Sequence, residues 1–557
     1  IKEKEVIQKK NLSNGLNVTD RYFINIKKNK VKNIFDRVCD HNGGKLIYRN
    51  DLKKAICPMH NWEINPINGS YFNVNVNKAP IQFSEKKDQI IIYNNKKIPK
   101  SKNFKKDLKV KINVLNHASL FVHSPNFSFV TDPWIEGPTF NCGWWLKHPS
   151  PKNSYDLIEK SDFIYISHNH PDHLHIETLN KISKNKLIIT PNFASGSTFK
   201  ILKDLKFKNI SLVNFNKSYF NLKKSLRFTF FKSGDFRDDS GLFFEIGKFK
   251  GLLNVDSNYL NFHNLPKDLT LFASSFAGGA SGYPLCFDNV KKIDKEKILN
   301  QNKKSIIQAN KKLINITDAK YYLPYAGSFK ENAIRDASIK RLNKKNTIEN
   351  NKKIYQKKIK VLDSFKNQFF EFNGKKLSAE IERDSKNVLI EKSITKYLKE
   401  FKDKNKSIKK SEIQSYFLNS NFNDNLILNL KIVDDNFKII SSNFLVNFAS
   451  KVIKINFKKN DYKSEIKKLI NKKQLRYLEI KVRKEAFINT VKQKMPWDDL
   501  LIGFQVRINR YPNIYNDKFW HYFSNIYIGK EYLRQSQKEI DCNSCKTIYQ
   551  NLNSLIK

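Results

Sequence analysis

Only six cysteines occur in 557 residues (Cys39, Cys57, Cys142, Cys286, Cys542 and Cys545), too few and too unevenly spread for a disulfide framework. Nor does any apolar run approach the ~18 residues needed to cross a bilayer. Residues 1–10 are charged with no hydrophobic segment behind them, so the reading is a cytoplasmic chain without a membrane span. The first residue is Ile rather than Met, which leaves room for a short leading piece. Acidic residues are scarce, 53 against 102 Lys and Arg, for a formal charge of +49. Such an excess suggests a polyanionic partner. The lysines are dispersed, however, and Lys, Asn and Ile crowd the whole chain as compositional drift would leave them. No basic stretch is interleaved with aromatics, so nucleic acid is disfavoured. What is present in quantity is hydrophobic material, 40% of residues, enough to fill ordinary cores and to exclude wholesale disorder.

The pattern along the chain predicts a multidomain protein. Short strands and Asn-Gly or Gly-Gly turns mark residues 1–105 as a small all-β module. Apolar strands alternating with amphipathic helix-length stretches mark 106–335 as α/β. Residues 336–360 read as a polar linker, and 361–557 as an α+β segment without a chemical motif.

Two groups of residues carry chemistry. In the first, Cys39-Asp40-His41 and Cys57-Pro58-Met59-His60 each offer a thiolate and an imidazole on a tight loop. Two cysteines and two histidines suit a tetrahedral zinc, although zinc pairs are usually spaced more widely within each half. The arrangement resembles the Rieske [2Fe-2S] domain, in which the cysteines bind one iron and the histidines the other. Trp62 and the Asn68-Gly69 turn fit the same pattern. Gly44 and Met59 stand where respiratory Rieske proteins place an extra disulfide, so the resemblance is to the lower-potential oxygenase and ferredoxin type.

In the second group, the apolar strand at residues 162–167 runs into His168-Asn169-His170-Pro171-Asp172-His173. Three imidazoles and a carboxylate just past a strand end are placed to converge on metal. The run is similar to the His-X-His-X-Asp-His motif of the metallo-β-lactamase superfamily, an αββα-type fold whose opening strands residues 116–119 and 130–134 also resemble. The later histidines of that superfamily are missing: none lies between His175 and His263, or between His263 and His521. Carboxylates are the expected replacements. Asp256 ends the apolar strand 251–255, and Asp235 follows Ser233-Gly234, where a plain turn residue is the competing reading. The expected metal ligands are therefore His168, His170, Asp172, His173, Asp256 and Asp235, with Asp172 and His117 as catalytic groups. His123, His148 and His175 are read as packing.

A [2Fe-2S] cluster moves one electron at a time, so a second metal served by it should be non-haem iron, one or two ions, rather than zinc. That pairing resembles the CMP-N-acetylneuraminate hydroxylase family. Residues 143–146, 276–284, 324–327, 497–505 and 519–520 look like segments of that family, and the resemblance spans about 35–523, weakest over 340–490. It implies hydroxylation of the N-acetyl methyl of a CMP-sialic acid, or a related nucleotide-linked acidic sugar. The reaction would use O2 and electrons from a b-type cytochrome or ferredoxin with its NAD(P)H reductase. Asp235 departs from the histidine the resemblance implies. The turn containing Gly278, Gly279, Ser281 and Gly282 is a candidate cradle for phosphate or carboxylate; a tight turn beside the metal is the plainer alternative. A metal hydrolase of esters, amides or phosphodiesters with a redox-sensing Rieske module stays open as a second reading. Cys542 and Cys545 are read as spare thiols.

Overall fold

The computed structural model describes residues 3–40, 45–57, 62–72, 77–94, 104–193, 195–234, 237–355, 358–420, 422–455, 475–524 and 549–551. His41, His60, Asp235, Cys542 and Cys545 lie outside the described residues. Among those described, no helix is long and apolar enough to cross a membrane.

Two eight-stranded sheets make the centre of the molecule. The first runs, in spatial order, Ile210–Val213, Ile188–Pro191, Phe163–Tyr165, Phe127–Thr131, Ser119–Ser124, Lys109–Asn116, Asn367–Asn373 and Lys376–Glu382. Its first four strands are parallel and the rest antiparallel. The second is ordered Lys360–Val361, Tyr321–Tyr325, Leu271–Ser275, Phe249–Leu253, Ser240–Ile246, Leu226–Lys232, Ser218–Asn221 and Tyr549–Asn551.

Strand alternation explains how the sheets stack, because successive side chains point to opposite faces. Ile189 enters the core between the sheets while Ile188 faces outward; Leu271 and Ala273 point in while Phe272 points out. Between the sheets Phe129 lies against Phe163, Phe228 and Phe244 with ring centroids 5.3–5.5 Å apart. Each such buried ring contributes about 1.5–3 kcal/mol of transfer free energy. The outer face of the first sheet is covered by helices Ser154–Lys160, Ile176–Asn180 and Ser197–Asp204, through Ile158, Leu179, Ile201 and Leu202. The outer face of the second is covered by Lys292–Thr317 and Ile348–Tyr355, through Leu313, Ile314 and Tyr355. The expected αββα sandwich is the observed architecture.

Both of its sheets continue past residue 335, which moves the expected boundaries. The stretch read as a polar linker holds helix Ile348–Tyr355 and strand Lys360–Val361, and the hairpin Asn367–Glu382 extends the first sheet by pairing with Lys109–Asn116. The reason is local: Ile348, Asn351 and Tyr355 form a single buried stripe inside an otherwise Lys/Asn-rich run. The remaining C-terminal part is a five-stranded sheet, ordered Val452–Ile455, Ile440–Asn447, Leu426–Val433, Arg476–Arg483 and Val506–Tyr511. Its core of Trp497, Phe504, Phe519 and Phe523 is continuous with Trp134, Phe140, Trp144 and Phe329 of the central sandwich. This segment is thus packed into the central fold rather than tethered to it.

The N-terminal residues form three small three-stranded antiparallel sheets, as an all-β module should.

Candidate metal centre

Strand Phe163–Tyr165 is buried on both faces and ends at the edge of the sandwich, so the chain leaving it is delivered to the rim of the sheet. There the backbone folds into one tight turn, the N–H groups of His173 and Leu174 both donating to the His170 carbonyl at 2.9 and 2.7 Å. This brings His168, Asp172 and His173 inward, all buried, while His170 stays partly exposed. His117 enters from the turn between Lys109–Asn116 and Ser119–Ser124, its ring wedged against Trp134 at 5.1 Å. Asp256 enters from the opposite sheet, just beyond strand Phe249–Leu253.

Ligand atoms of His117, Asp172 and His173 lie within 4.8 Å of one another, as do those of His168, His173 and Asp256. The two triads share His173. Its Nε2 is 3.4 Å from both Asp172 Oδ2 and Asp256 Oδ2 and makes no hydrogen bond. His117 Nε2 is 3.1 Å from Asp172 Oδ2, and the buried atoms His117 Nδ1 and Asp172 Oδ1 also lack hydrogen-bond partners. Unsatisfied buried donors and acceptors are costly unless something pairs with them. Imidazole nitrogens and carboxylate oxygens at these separations suit one or two divalent ions. The donor set therefore fits a metal; it brings together four of the expected ligands, His168, Asp172, His173 and Asp256, and adds His117, which was expected as a catalytic group.

Two residues that the sequence reading passed over hold this set in place. Asp132, at the end of strand Phe127–Thr131, accepts the Ser167 N–H and O–H at 2.7 Å each and the His173 Nδ1–H at 2.9 Å. Placing the proton on Nδ1 leaves the Nε2 lone pair of His173 facing the site. Asp498, from helix Asp498–Ile502 of the C-terminal segment, meets His170 Nε2 at 3.2 Å, and His170 Nδ1 meets His168 Nε2 at 2.9 Å. His170 thus lies outside both triads and joins the site through His168. A strand-end Asp before Pro was a signal for Asp132; none tied Asp498 to a histidine 328 residues away.

Charge at the site is tightly managed. Burial disfavours protonated His173, but Asp172 and Asp132 outweigh it and hold its pKa well above the usual histidine value. Burial, with His173 and His170 nearby, holds His168 well below it. Burial, then Asp498 and Asp172, push the fully enclosed Asp499 well above the usual carboxylate range. A metal held by Asp172 and His173 would take the place of the proton, so its binding would be coupled to proton release.

The remaining expected residues separate clearly. His123 stacks on Phe121, His148 packs on Phe365, and His175 caps helix Ile176–Asn180 through the Thr178 N–H. Gly279 at φ +76° has room only for hydrogen where Asn343 approaches, and a side chain at Gly282 would sit 2.3 Å from the Leu501 carbonyl. Gly278 also has positive φ, and Ser281 Oγ accepts the Tyr283 N–H at 3.2 Å. These positions have packing reasons of their own.

In the N-terminal module Cys39 and Cys57 are both buried in one small core with Phe35, Trp62, Ile64 and Tyr71. Cys57 N–H donates to the Trp62 carbonyl at 2.8 Å. Beside Cys39, buried Lys78 bridges Asp36 and Asp40 at 2.8 and 3.0 Å, and Tyr71 Oη donates to Asp40 at 2.8 Å. Trp62 also packs on Tyr515 of the C-terminal segment, centroids 5.6 Å apart. Cys142 and Cys286, in contrast, are isolated buried thiols whose pKa burial pushes up to about 12 and about 11.

Residues 111–231 match the beta-lactamase superfamily domain. Over 554 residues the chain is 27% identical to the cytidine monophosphate-N-acetylneuraminic acid hydroxylase of Macaca mulatta, covering 92% of this chain and 91% of that protein. The enzyme of the same name from Mus musculus is 28% identical, with 92% and 93% covered. The chain is a relative of these CMP-N-acetylneuraminic acid hydroxylases. The similarity to the hydroxylases therefore spans most of this chain and most of each relative. Among solved structures, CmlA, a diiron beta-hydroxylase from Streptomyces venezuelae, aligns at 12% identity and a TM-score of 0.32 over 49% of this chain and 55% of that one.

Proposed function

We propose that this chain is a monooxygenase that hydroxylates the N-acetyl methyl of a CMP-sialic acid, or of a closely related nucleotide-linked acidic sugar, to N-glycolyl. The observation that carries the reading is the similarity to the hydroxylases over 92% of the chain, beside a histidine and carboxylate site built to hold metal. Cys39 and Cys57, with His41 and His60, are the residues that would hold a Rieske [2Fe-2S] cluster; His117, His168, Asp172, His173 and Asp256 would hold non-haem iron, one ion or two. When bound, such iron supplies the oxidising power that insertion into a strong C–H bond requires, which a water-activating Lewis acid does not.

The chain's own residues prepare the place. Asp132 fixes the His173 tautomer, and Asp498 orients His170 and through it His168. Trp134 and Phe329 line the apolar side next to His117, with ring centroids 5.1 and 6.1 Å from it, and keep water from that flank. Electrons would come from a b-type cytochrome or ferredoxin with its NAD(P)H reductase, and the +49 charge would speed encounter with an acidic donor. We place the reaction in the cytoplasm.

The test is metal and acid-labile sulfide per chain on anaerobically purified protein, followed by incubation with CMP-sialic acid, O2 and a reduced donor. About two sulfides, three or four irons and a one-oxygen mass gain are expected. Cys57→Ser should remove the sulfide and the visible spectrum, whereas His168→Ala should abolish turnover and leave that spectrum intact. Zinc in the second site, with hydrolysis of an ester or phosphodiester and no oxygen gain, would overturn the proposal in favour of a metal hydrolase.

A further inference from the structure

A cleft of about 500 Å3 lies between the N-terminal module, residues 254–263 and helix Lys292–Thr317. That volume falls within the range of small-molecule sites. Its wall at residues 254–257 is the segment that carries Asp256 into the metal centre, so cleft and centre share one stretch of backbone.

The cleft is polar in an unbalanced way. Asn254 and Ser257 are each 4% exposed, and Asn254 Oδ1 and Ser257 Oγ make no hydrogen bond. The carboxylates that line it are already engaged: Asp20 by Lys45, and Asp36 by Lys78 at 2.8 Å. Arg21 is paired with Glu5 at 2.9 Å. Of the described cations that line it, two form no ion pair. Arg37 donates only to the carbonyls of Leu46 and Thr19, and Lys312 has no acceptor. Burial first, then Arg21 and Lys45, depress the Lys312 pKa, against the opposing pull of Asp20 and Asp36.

The wall is also strained. Val255, Tyr259, Asn261, Phe262 and His263 all have φ between 43° and 64°. Left-handed backbone costs non-glycine residues about 1 kcal/mol or more each, and such strain gathers at functional sites. Here it turns Tyr259 edge-on to His263, centroids 4.2 Å apart, presenting two rings to the cleft.

We propose that this cleft binds the nucleoside monophosphate end of the nucleotide-linked sugar, its phosphate against Arg37 and Lys312, its polar groups on Asn254 and Ser257, and its base beside Tyr259 and His263. The proposal rests on the hydroxylase reading for the identity of the nucleotide. It accounts for unsatisfied polar side chains, unpaired cations and strained rings among the residues that line one space, and it leaves the sugar end next to the segment bearing Asp256.

The experiment is calorimetric titration of the full chain with CMP, with inorganic phosphate and free sialic acid as separate probes. CMP should bind, and Lys312→Glu should weaken it at least tenfold. Lys311→Glu, which makes the same charge change on the adjacent surface of the helix, should alter it less than twofold. Ser257→Ala should weaken CMP but not phosphate. In turnover, Lys312→Glu should raise KM for the nucleotide sugar and spare kcat. Failure of CMP to bind, equal losses in the two lysine variants, or phosphate binding as tightly as CMP would each overturn the proposal. CMP binding with the expected variant pattern but no hydroxylation would sustain the cleft and sink the hydroxylase reading. Hydroxylation with KM unchanged in Lys312→Glu would do the reverse.

Discussion

Replacing Asp132 with Asn isolates the role of one hydrogen bond in metal binding. In the native site Oδ1 accepts the Ser167 N–H at 2.7 Å, while Oδ2 accepts the Ser167 hydroxyl at 2.7 Å and His173 Nδ1–H at 2.9 Å. The backbone N–H of Ser167 cannot turn away, so an Asn side chain must keep its oxygen there and present its NH2 to His173. Nδ1 then has to accept, the imidazole proton moves to Nε2, and the lone pair that faces Asp172 and Asp256 is lost. Outer hydrogen bonds to metal-bound histidines are worth about 10–100-fold in metal affinity, or about 1.4–2.7 kcal/mol. The fold should survive, since Asn matches Asp in size and one of three hydrogen bonds persists; a stability loss of about 1–2 kcal/mol is expected. The assay is retention of metal in the histidine site against graded chelator, with circular dichroism as the folding control. A folded Asp132→Asn protein that keeps native metal affinity would refute the tautomer argument.

Other perturbations test the frame around the site. Gly143→Ala should destabilise the protein by about 1–3 kcal/mol in urea unfolding, because its added Cβ would lie 2.3 Å from the Gly503 carbonyl where two chain segments pass face to face. Arg483→Met should cost about 3–5 kcal/mol by stranding Asp336, its partner at 2.7 Å with both side chains 1% exposed. Adding Asp336→Leu to that variant should restore most of the loss, and equal instability of single and double variants would count against the pairing. His148 is pushed down to about 4 by burial, then by Arg383 and Lys147. A histidine more basic unfolded than folded contributes fully above about pH 6.5 and loses its contribution as pH falls toward about 4, so native stability should drop by about 1–2 kcal/mol across that window after allowance for solvent screening. His148→Gln should flatten that part of the pH–stability curve.

Much of this site was readable because its residues are local. Cys39 and Cys57 each sit within a few residues of a histidine, and the run from His168 to His173 needs only a strand in front of it to acquire a direction. Asp256 was expected because it ends an apolar strand at the place where the resemblance to the metallo-β-lactamase superfamily implies a metal-bridging Asp. What escaped was non-local or masked by composition. Asp132 works through a partner 35 residues on, and Asp498 through one 328 residues back, separations that no spacing rule covers. The continuation of both sheets beyond residue 335 escaped because helix Ile348–Tyr355 hides a narrow apolar stripe among lysines and asparagines. Gly278, Gly279 and Gly282 invited a ligand reading, and each is also packed closely, against the Ile306 side chain, the Asn343 side chain and the Leu501 carbonyl respectively.

The pairing of His170 with Asp498 also sets a clock on synthesis. At about 5–20 residues per second, Asp498 leaves the ribosome roughly 15–65 seconds after the histidine turn. In that interval the sandwich strands up to Lys376–Glu382 have emerged while the C-terminal cover has not. Until that segment emerges His170 has no Asp498 to meet, so the frame around the histidine turn is completed only near the end of synthesis.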